Sequence, residues 1–145
     1  MTNPRNDPYG NFNFLVEIDG IVKAGFSEVS GLTAEINVIE YREGGDPITV
    51  RKLAGLRKYS NIVLKRGLTQ DLALWNWFSN VAKGNVQRAA GSIILLDAAR
   101  NPVLRWKFVQ GWPCKWEGPH LNAKSNEIAI EELEIAHEGI ELTAP

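Results

Sequence analysis

The side chains of this chain that could do chemistry are a cysteine, two histidines and several carboxylates. Cys114 could pair with His120 or His137, which are the two histidines among the 145 residues. The thiol lies in a tryptophan- and proline-rich stretch without a basic helix end to activate it, which favours a packed cysteine. Two histidines without paired spacing do not predict a metal site. We expect His137 to be a hydrogen-bonded core or interface group and His120 to lie on a surface loop.

The serine and glutamate residues give little indication of nucleophilic or acid–base catalysis. Ser27 lies in the stretch GFSEV, which lacks the second glycine of a nucleophile elbow. Glu132 and Glu134 would share one strand face, and we expect them to be solvated or paired with basic neighbours rather than catalytic. They belong to an acidic run of Glu131, Glu132, Glu134, Glu138 and Glu141. Gly44-Gly45 is too short for a phosphate loop. The sequence therefore predicts no enzyme and no cofactor.

The composition also bears on the class of partner. The net charge is −1 and the pI about 6.1, which predicts no specific nucleic-acid partner and no anionic membrane partner. The five tryptophans could stack on single-stranded bases, but their positions on apolar faces or beside Pro113 favour core and interface roles. No apolar run reaches the roughly 20 residues of a membrane span, so no direct membrane insertion is expected. The first residues show no secretory signal and a single cysteine permits no internal disulfide, so we expect folding in the cytoplasm.

Hydrophobic alternation predicts mainly β structure in one domain, residues 1–145, with residues 1–10 as a flexible polar arm. The one convincing helix runs from Thr69, a possible N-cap, to Lys83. Residues 111–120 are expected to be irregular. In the last predicted strand the apolar residues change from even to odd positions, and a β-bulge near Glu131-Glu132 would keep both sets on the core side. The strands are predicted at 11–19, 21–29, 34–41, 59–66, 92–96, 103–110 and 126–142. We expect an antiparallel β-sandwich or partly closed barrel with one α-helix.

Residues 40–58 do not fit this pattern. They contain Gly44, Gly45, Pro47 and Gly55, and their charges divide into an acid-leaning first half and a basic second half. They also carry more apolar side chains than a solvated loop needs, so we interpret them as an extended arm presented to a partner. Opposite charges on different parts of one chain suit head-to-tail self-association. A monomer with a mobile loop remains the alternative.

Seven stretches of the chain together resemble phage tail tube proteins, in particular the inner-tube protein of extracellular contractile injection systems. The resemblance runs in order from about residue 7 to residue 142, and it departs from the family at Cys114, where a hydroxyl residue is expected. The stretches are FNFLVEIDG (12–20), AGFSEVSG (24–31), IEYREGG (39–45), RKLAGLRKYSNIVLKR (51–66), SIILLD (92–97), WPCKWEG (112–118) and NEIAIEELEIAHEG (126–139).

The resemblance implies a structural protein whose subunits share strands in hexameric rings. The rings stack into a tube inside a sheath, which drives the tube through a target envelope. Implied partners are other copies, the sheath, baseplate and spike proteins, tube-terminating proteins and protein cargo in the lumen; the particle is either released or membrane-anchored. Expected inter-subunit or inter-ring residues are Arg42, Glu43, Asp46, Ile48, Val50, Arg51, Lys52, Leu53, Leu56 and Arg57. The alternatives are a type VI secretion-like ring protein that exports effectors, a tube-initiating ring protein, and a monomeric β-domain enzyme or ligand binder.

Overall fold

The computed structural model describes residues 8–10, 13–42, 44–45 and 48–145. Residues 1–7 of the predicted N-terminal arm and Phe12 of the predicted first strand lie outside this part of the chain. The described residues form ten strands and one helix. They are β1 (Phe14–Ile18), β2 (Val22–Ala24), β3 (Glu28–Ser30), β4 (Ala34–Tyr41), β5 (Arg51–Tyr59), β6 (Ile62–Gly67), α1 (Ala73–Ala82), β7 (Ala89–Leu96), β8 (Pro102–Glu117), β9 (Ile130–Ala136) and β10 (Gly139–Thr143).

Eight of the strands follow one another, all antiparallel, in a single curved sheet. Seven lie in the order β2-β1-β7-β8-β9-β6-β3, and β10 pairs with β8. The long strand β8 holds the sheet together, since its first half pairs with β7 and β10 and its second half with β9. The two end strands, β2 and β3, are linked by only three residues, 25–27. The sheet therefore curls back on itself without closing by hydrogen bonds, which confirms a mainly β, partly closed barrel with one helix.

Alternating side chains of these strands meet in one core. Val16 and Ile18 of β1, Ile62 and Leu64 of β6, and Phe108 of β8 are almost fully buried there. Helix α1 packs on β8 and closes part of the barrel by burying Leu74 and Trp77. The indole Nε1 of Trp77 donates to the Gln87 carbonyl at 2.8 Å, so its polar atom is satisfied.

Two predicted element boundaries are wrong for identifiable reasons. The helix begins at Ala73 rather than Thr69, because Arg66 Nη2 donates to the Asp71 carbonyl at 3.2 Å and holds the preceding residues in a loop. Asp71 Oδ1 then accepts the N–H of Ala73 at 3.1 Å. The strand predicted at 21–29 is broken because the Ser27 N–H donates to the Lys65 carbonyl at 2.8 Å, which transfers the chain from β1 to β6.

Two segments hold more regular structure than predicted. Residues 111–117 continue β8 instead of forming an irregular loop. Pro113, which has no N–H to donate, is accommodated by a shift of register between Pro113 and Lys115. Residues 51–59 form β5, although a glycine such as Gly55 weakens the interior of a strand. A Cβ at Gly55 would meet the Asn37 carbonyl oxygen at 3.0 Å, so glycine fits the irregular pairing at this point.

The β-bulge predicted near Glu131-Glu132 is also wrong. Strands β6 and β9 pair without a shift of register from Ile62↔Ile135 to Gly67↔Ile130. The side chains of β9 that face the core are those of Glu131, Leu133 and Ile135. Ile128 precedes the strand and is largely exposed. A glutamate can take the core position because Arg66, directly opposite it on β6, neutralises its charge.

Candidate functional site

The most exposed element of the protein is a hairpin formed by β4 and β5. These strands pair with each other in a separate two-stranded sheet. Every residue of β4 is exposed, and so is most of β5. An isolated two-stranded hairpin is only marginally stable in water, so an eight- to nine-residue one indicates an element that is completed by a partner.

Apolar side chains occupy both faces of this hairpin. Ile36 and Val38 lie on one face of β4, because residues two apart on a strand point the same way. Ile39 lies on the other face, opposite Leu53 of β5. All four side chains are largely exposed. Exposed apolar groups on two opposite faces are typical of protein interaction surfaces rather than of solvated loops.

The charges of the hairpin are arranged by its register. Glu35 lies directly opposite Lys58, and Glu40 lies opposite Lys52. Such cross-strand pairs of opposite charge stabilise a sheet locally. Lys52 thus has an acidic neighbour within its own hairpin, which the sequence could not indicate. Arg57 lies opposite Ile36 instead, on a predominantly apolar stretch of the hairpin.

His137 anchors the base of the hairpin to the barrel. Its Nε2 lies 2.9 Å from the carbonyl oxygen of Ser60, the residue that follows β5. Its ring lies 5.8 Å from the ring of Tyr59 and 6.1 Å from that of buried Phe108, measured between centroids. The prediction of a hydrogen-bonded His137 is therefore confirmed. The sequence analysis did not predict its contact with the hairpin. The available indication was that His137 continues the alternate apolar positions Leu133 and Ile135.

Eight of the ten predicted contact residues are described, and all eight belong to this hairpin or directly adjoin its strands. Arg42 directly follows β4 and Val50 directly precedes β5, while Glu43 and Asp46 lie outside the described residues. Ile48 and Leu56 are the most exposed of the predicted apolar contacts, at 90% and 78%. The remaining predicted residues, Arg51, Lys52, Leu53, Leu56 and Arg57, belong to β5.

The groups that could do chemistry are held in unreactive settings. The Cys114 thiol lies 3.7 Å from a carboxylate oxygen of Glu134, which also accepts a hydrogen bond from Asn61 at 2.8 Å. Burial and the adjacent Glu134 charge raise the pKa of Cys114 above its usual value. A raised pKa keeps the sulfur protonated near neutral pH, which disfavours nucleophilic catalysis.

Two other carboxylates, Glu117 and Glu132, face each other across β8 and β9. A hydrogen bond that the protonated Glu132 carboxyl donates to Glu117 is the main cause of the raised pKa of Glu132, while Lys65, 4.0 Å away, acts in the opposite direction. The expected pairing of Glu132 with a basic neighbour is present. Within the described part of the chain, no group of three or more histidine, cysteine, aspartate or glutamate side chains is placed to hold a metal ion.

A buried ion pair, which sequence reasoning missed, ties β6 to β9. Arg66 Nε donates to Glu131 Oε1 at 2.5 Å, and Trp116 Nε1 donates to Glu131 Oε2 at 3.2 Å. The guanidinium also lies over the Phe26 ring, 5.4 Å from its centroid, and 3.4 Å from Asp71 Oδ2. Because both Glu131 oxygens and the Arg66 guanidinium have partners within the chain, we interpret this cluster as stabilising the fold. Helix α1, the one helix of the described residues, is not long and apolar enough to cross a membrane.

Comparison with known proteins gives a consistent result. Residues 10–141 match the family model described as T4-like virus tail tube protein gp19. The fold superposes with a TM-score of 0.87 on a chain of the cryo-EM structure of the anti-feeding prophage baseplate, 6-fold symmetrised, at 28% identity over 96% of this chain and 97% of that one. A chain of the sheath-tube complex of the PVC extracellular contractile injection system in its extended state superposes with a TM-score of 0.87 at 26% identity, over 97% of this chain and 94% of that one.

A more distant likeness concerns the fold alone. Hcp1 from Flavobacterium johnsoniae superposes with a TM-score of 0.56 at 16% identity, over 91% of this chain and 95% of that one. A search of curated protein sequences found no match.

Proposed function

Because the chain belongs to the T4-like virus tail tube protein family, we propose that it is the inner-tube subunit of a contractile injection system and that it assembles into stacked six-membered rings. The role is structural rather than enzymatic. Similarity to chains of the anti-feeding prophage baseplate and of the PVC sheath-tube complex, at 28% and 26% identity, supports this assignment. The 6-fold symmetrisation of the first assembly supports rings of six.

The observation that carries the proposal is the hairpin of β4 and β5 with apolar side chains on both faces. In a monomer these side chains would stay in water, whereas burial in a neighbouring copy gains about 25 cal/mol for each Å² of apolar surface. Residues 1–145 act as one tube domain, and residues 40–58 act as its inter-subunit arm. The ten contact residues predicted from the sequence are proposed to lie in contacts between copies.

The remaining parts of the proposal concern the particle. The tube lies inside a sheath, between a baseplate with its spike and a terminating protein, and its lumen carries protein cargo. One chain of the PVC sheath-tube complex and one chain of the PVC sheath/tube terminator structure are each 26% identical to this chain, which supports the sheath and terminator contacts. Assembly takes place in the cytoplasm before the particle acts on a target envelope.

The test compares two aspartate substitutions of exposed apolar residues. Ile39→Asp places a charge on the hairpin, and Leu121→Asp places one on a loop outside it, where Leu121 is also largely exposed. We expect wild-type protein and Leu121→Asp to form rings and tubes in negative-stain electron microscopy, and Ile39→Asp to elute as a folded 16 kDa monomer. A wild-type chain that stays monomeric at high concentration would overturn the proposal, as would tubes of normal length from Ile39→Asp.

The second candidate is a type VI secretion-like ring protein, favoured by the shared fold with Hcp1. Such a protein would form free hexamers. The same images distinguish the two functions, since free rings without stacks favour the second candidate and stacked tubes favour the first.

A further inference from the structure

The β4–β5 hairpin is joined to the barrel through two short links, residues 31–33 before β4 and residues 60–61 after β5. In the described part of the chain, neither β4 nor β5 pairs with a strand of the barrel. Every residue of β4 is exposed, so little of this strand is held against the barrel. The direction in which the hairpin projects is therefore set by the contacts at its base.

The two links lie against each other at Gly31 and Asn61. A Cβ at Gly31 would come within 2.0 Å of the Asn61 carbonyl oxygen, and its φ of +87° lies in the left-handed region, so only glycine fits there without a shift of the backbone. The Asn61 side chain in turn donates to Glu134 of β9 at 2.8 Å. These contacts fix one point at the base. A hairpin held at one point can still turn about it, so its direction requires a second contact.

His137 supplies that second contact. The Ser60 carbonyl can only accept a hydrogen bond, so His137 Nε2, 2.9 Å from it, carries a proton and donates. The ring also lies between Tyr59, the last residue of β5, and Phe108 of the core. One side chain of the barrel thus contacts both the last side chain of β5 and the backbone that follows it.

The other ring nitrogen, Nδ1, has two partners on one residue. It lies 3.2 Å from the Gly139 backbone nitrogen and 3.1 Å from the Gly139 carbonyl oxygen. A neutral ring with its proton on Nε2 accepts the Gly139 N–H at Nδ1, and a charged ring donates from Nδ1 to the Gly139 carbonyl. Nε2 keeps its proton in both forms. The hydrogen bond to Ser60 is therefore available to neutral and to charged histidine.

The charges around the ring are of both signs. An open groove of about 820 Å³ lies beside His137, between the hairpin base and the β8–β10 face. Glu138, on this groove, is also paired with Arg88 at 3.6 Å. Because the groove carries both cations and anions, a proton gained by His137 meets no one-sided field that would push the ring out of position. The titratable and charged groups that line it are Arg57 and Tyr59 of β5, Lys107 of β8, Glu138 of the turn after β9 and Glu141 of β10.

We propose that His137 positions the β4–β5 hairpin for assembly, and that its hydrogen bond to Ser60 persists whether the ring is neutral or charged. The inference rests on the proposed self-assembly and adds how a single subunit holds its arm before another copy binds. Fixing a binding element in its bound direction lowers the entropy lost on association, so a held hairpin assembles at a lower concentration than a loose one. Since histidines change their charge between about pH 5 and 8, this anchor would keep the arm in place across that range.

Three substitutions of His137 separate the hydrogen bond from the bulk of the ring. His137→Gln carries an amide N–H as far along the side chain as Nε2, so it can still reach Ser60. His137→Asn carries its amide only as far as Nδ1, and His137→Leu has no donor. The asparagine variant keeps a polar group, so it decides the test where His137→Leu does not fold. His120→Asn, at an exposed position in the loop after β8, is the matched control.

Ring formation in negative-stain micrographs should follow the reach of the amide. A net hydrogen bond changes an equilibrium about two- to tenfold and a ring needs every arm in place, so His137→Asn and His137→Leu should require about tenfold more protein for half-maximal ring formation. His137→Gln and His120→Asn should stay within about threefold of wild type. Rings from His137→Asn and His137→Leu at the wild-type concentration would overturn the proposal.

A distance measurement distinguishes positioning from a general loss of stability. It uses the Ile39→Asp protein in a Cys114→Ser background, with spin labels on Val50→Cys, just before β5, and Lys23→Cys, at an exposed position of β2. The distribution of distances between the labels should be narrow with His137 or His137→Gln and clearly broader with His137→Asn or His137→Leu. A hairpin that is less stable but correctly held would keep the narrow distribution, and that result would overturn the proposal.

The pH dependence tests the second half of the proposal. The amide of His137→Gln does not titrate, so ring formation by wild type and by His137→Gln should change by the same factor between pH 8 and pH 5.5. Loss of rings by wild type at pH 5.5, with His137→Gln unaffected, would overturn the proposed hold by charged histidine. A wild-type chain that forms no rings at any pH would overturn the proposed function, whereas the distances measured in monomers would still decide whether His137 holds the hairpin.

Discussion

Replacing Glu131 with alanine should destabilise the protein more than any other removal of a single carboxylate described above. The side chain is only 2% exposed, and its two oxygens accept hydrogen bonds from Arg66 and Trp116. Alanine would leave the Arg66 guanidinium, 9% exposed, without its buried counter-charge. Removing one partner of a buried ion pair costs about 3–5 kcal/mol, since the remaining charge stays desolvated.

The structure places this substitution at the lower end of that range. Asp71 lies 3.4 Å from Arg66 and keeps part of the compensation, but its side chain is 54% exposed and its field is screened by water. We therefore expect a loss of about 3 kcal/mol, which corresponds to roughly 6–12 °C in Tm for a chain of this size. Glu131→Gln should cost less, because its amide oxygen can still accept the hydrogen bond from Arg66.

The measurement is urea unfolding of a non-assembling hairpin variant, because self-association would add concentration-dependent stability. The decisive control is a double-mutant cycle with Arg66→Met and Glu131→Leu. Replacing both charges by apolar groups should return stability to within about 1 kcal/mol of the starting protein. A cost below about 1 kcal/mol for Glu131→Ala, or an equal cost in the Arg66→Met background, would refute the assignment of a coupled buried pair.

Three further predictions concern single sites. The pKa of Glu132 is raised mainly by a hydrogen bond between its protonated carboxyl and Glu117, so the folded protein binds this proton more tightly than the unfolded chain does and gains stability as pH falls through the raised pKa. Glu132→Gln should therefore be more stable than wild type at pH 7, and urea midpoints should show that advantage disappearing towards pH 4; an advantage that grows with acidity would contradict it. Cys114, whose pKa is raised, should react with iodoacetamide at pH 8 at least several-fold more slowly than in the urea-unfolded chain, and equal rates would refute its packing. Gly91→Ala should cost about 1–3 kcal/mol because a Cβ would meet an atom of the Phe108 ring at 2.6 Å, and an unchanged melting temperature would contradict that contact.

Alternation of apolar and polar residues predicted most of the strands, because alternate side chains of a strand point to its buried face. The alternation at Leu104, Trp106 and Phe108 located the first half of β8 correctly. The second half was missed because Pro113 indicates a break, whereas a register shift beside it lets the strand continue. The start of the helix was missed because a side-chain contact decides it: Arg66, near the end of β6, donates to the Asp71 carbonyl in the loop before α1. Hydrophobic periodicity records neither the pairing of strands nor a side-chain contact of this kind.

The candidate site was predictable as a segment but not as a structure. Composition alone identified residues 40–58 as unusual, because apolar and charged side chains alternate there without an obvious core. Strand β5 was missed because glycine is unfavourable inside a strand. Gly55 is accommodated because it lies against the Asn37 carbonyl of the neighbouring strand, and the sequence does not show that contact. The sequence also showed the charges without their pairing: Glu40 of the segment faces Lys52, and Lys58 faces Glu35, which lies before the segment, and both pairings depend on the register of the hairpin.

The register of the hairpin changes which interactions would hold the proposed rings together. If the acidic and basic halves of the arm were free, association would depend on charge and weaken steeply with salt. Because Lys52 and Lys58 already face Glu40 and Glu35 within the hairpin, much of the charge is balanced before any partner arrives. In the proposed assembly, the available energy then lies in burying the apolar side chains on both faces of the hairpin. Apolar burial is little screened by ions, so the proposed rings should persist at high ionic strength.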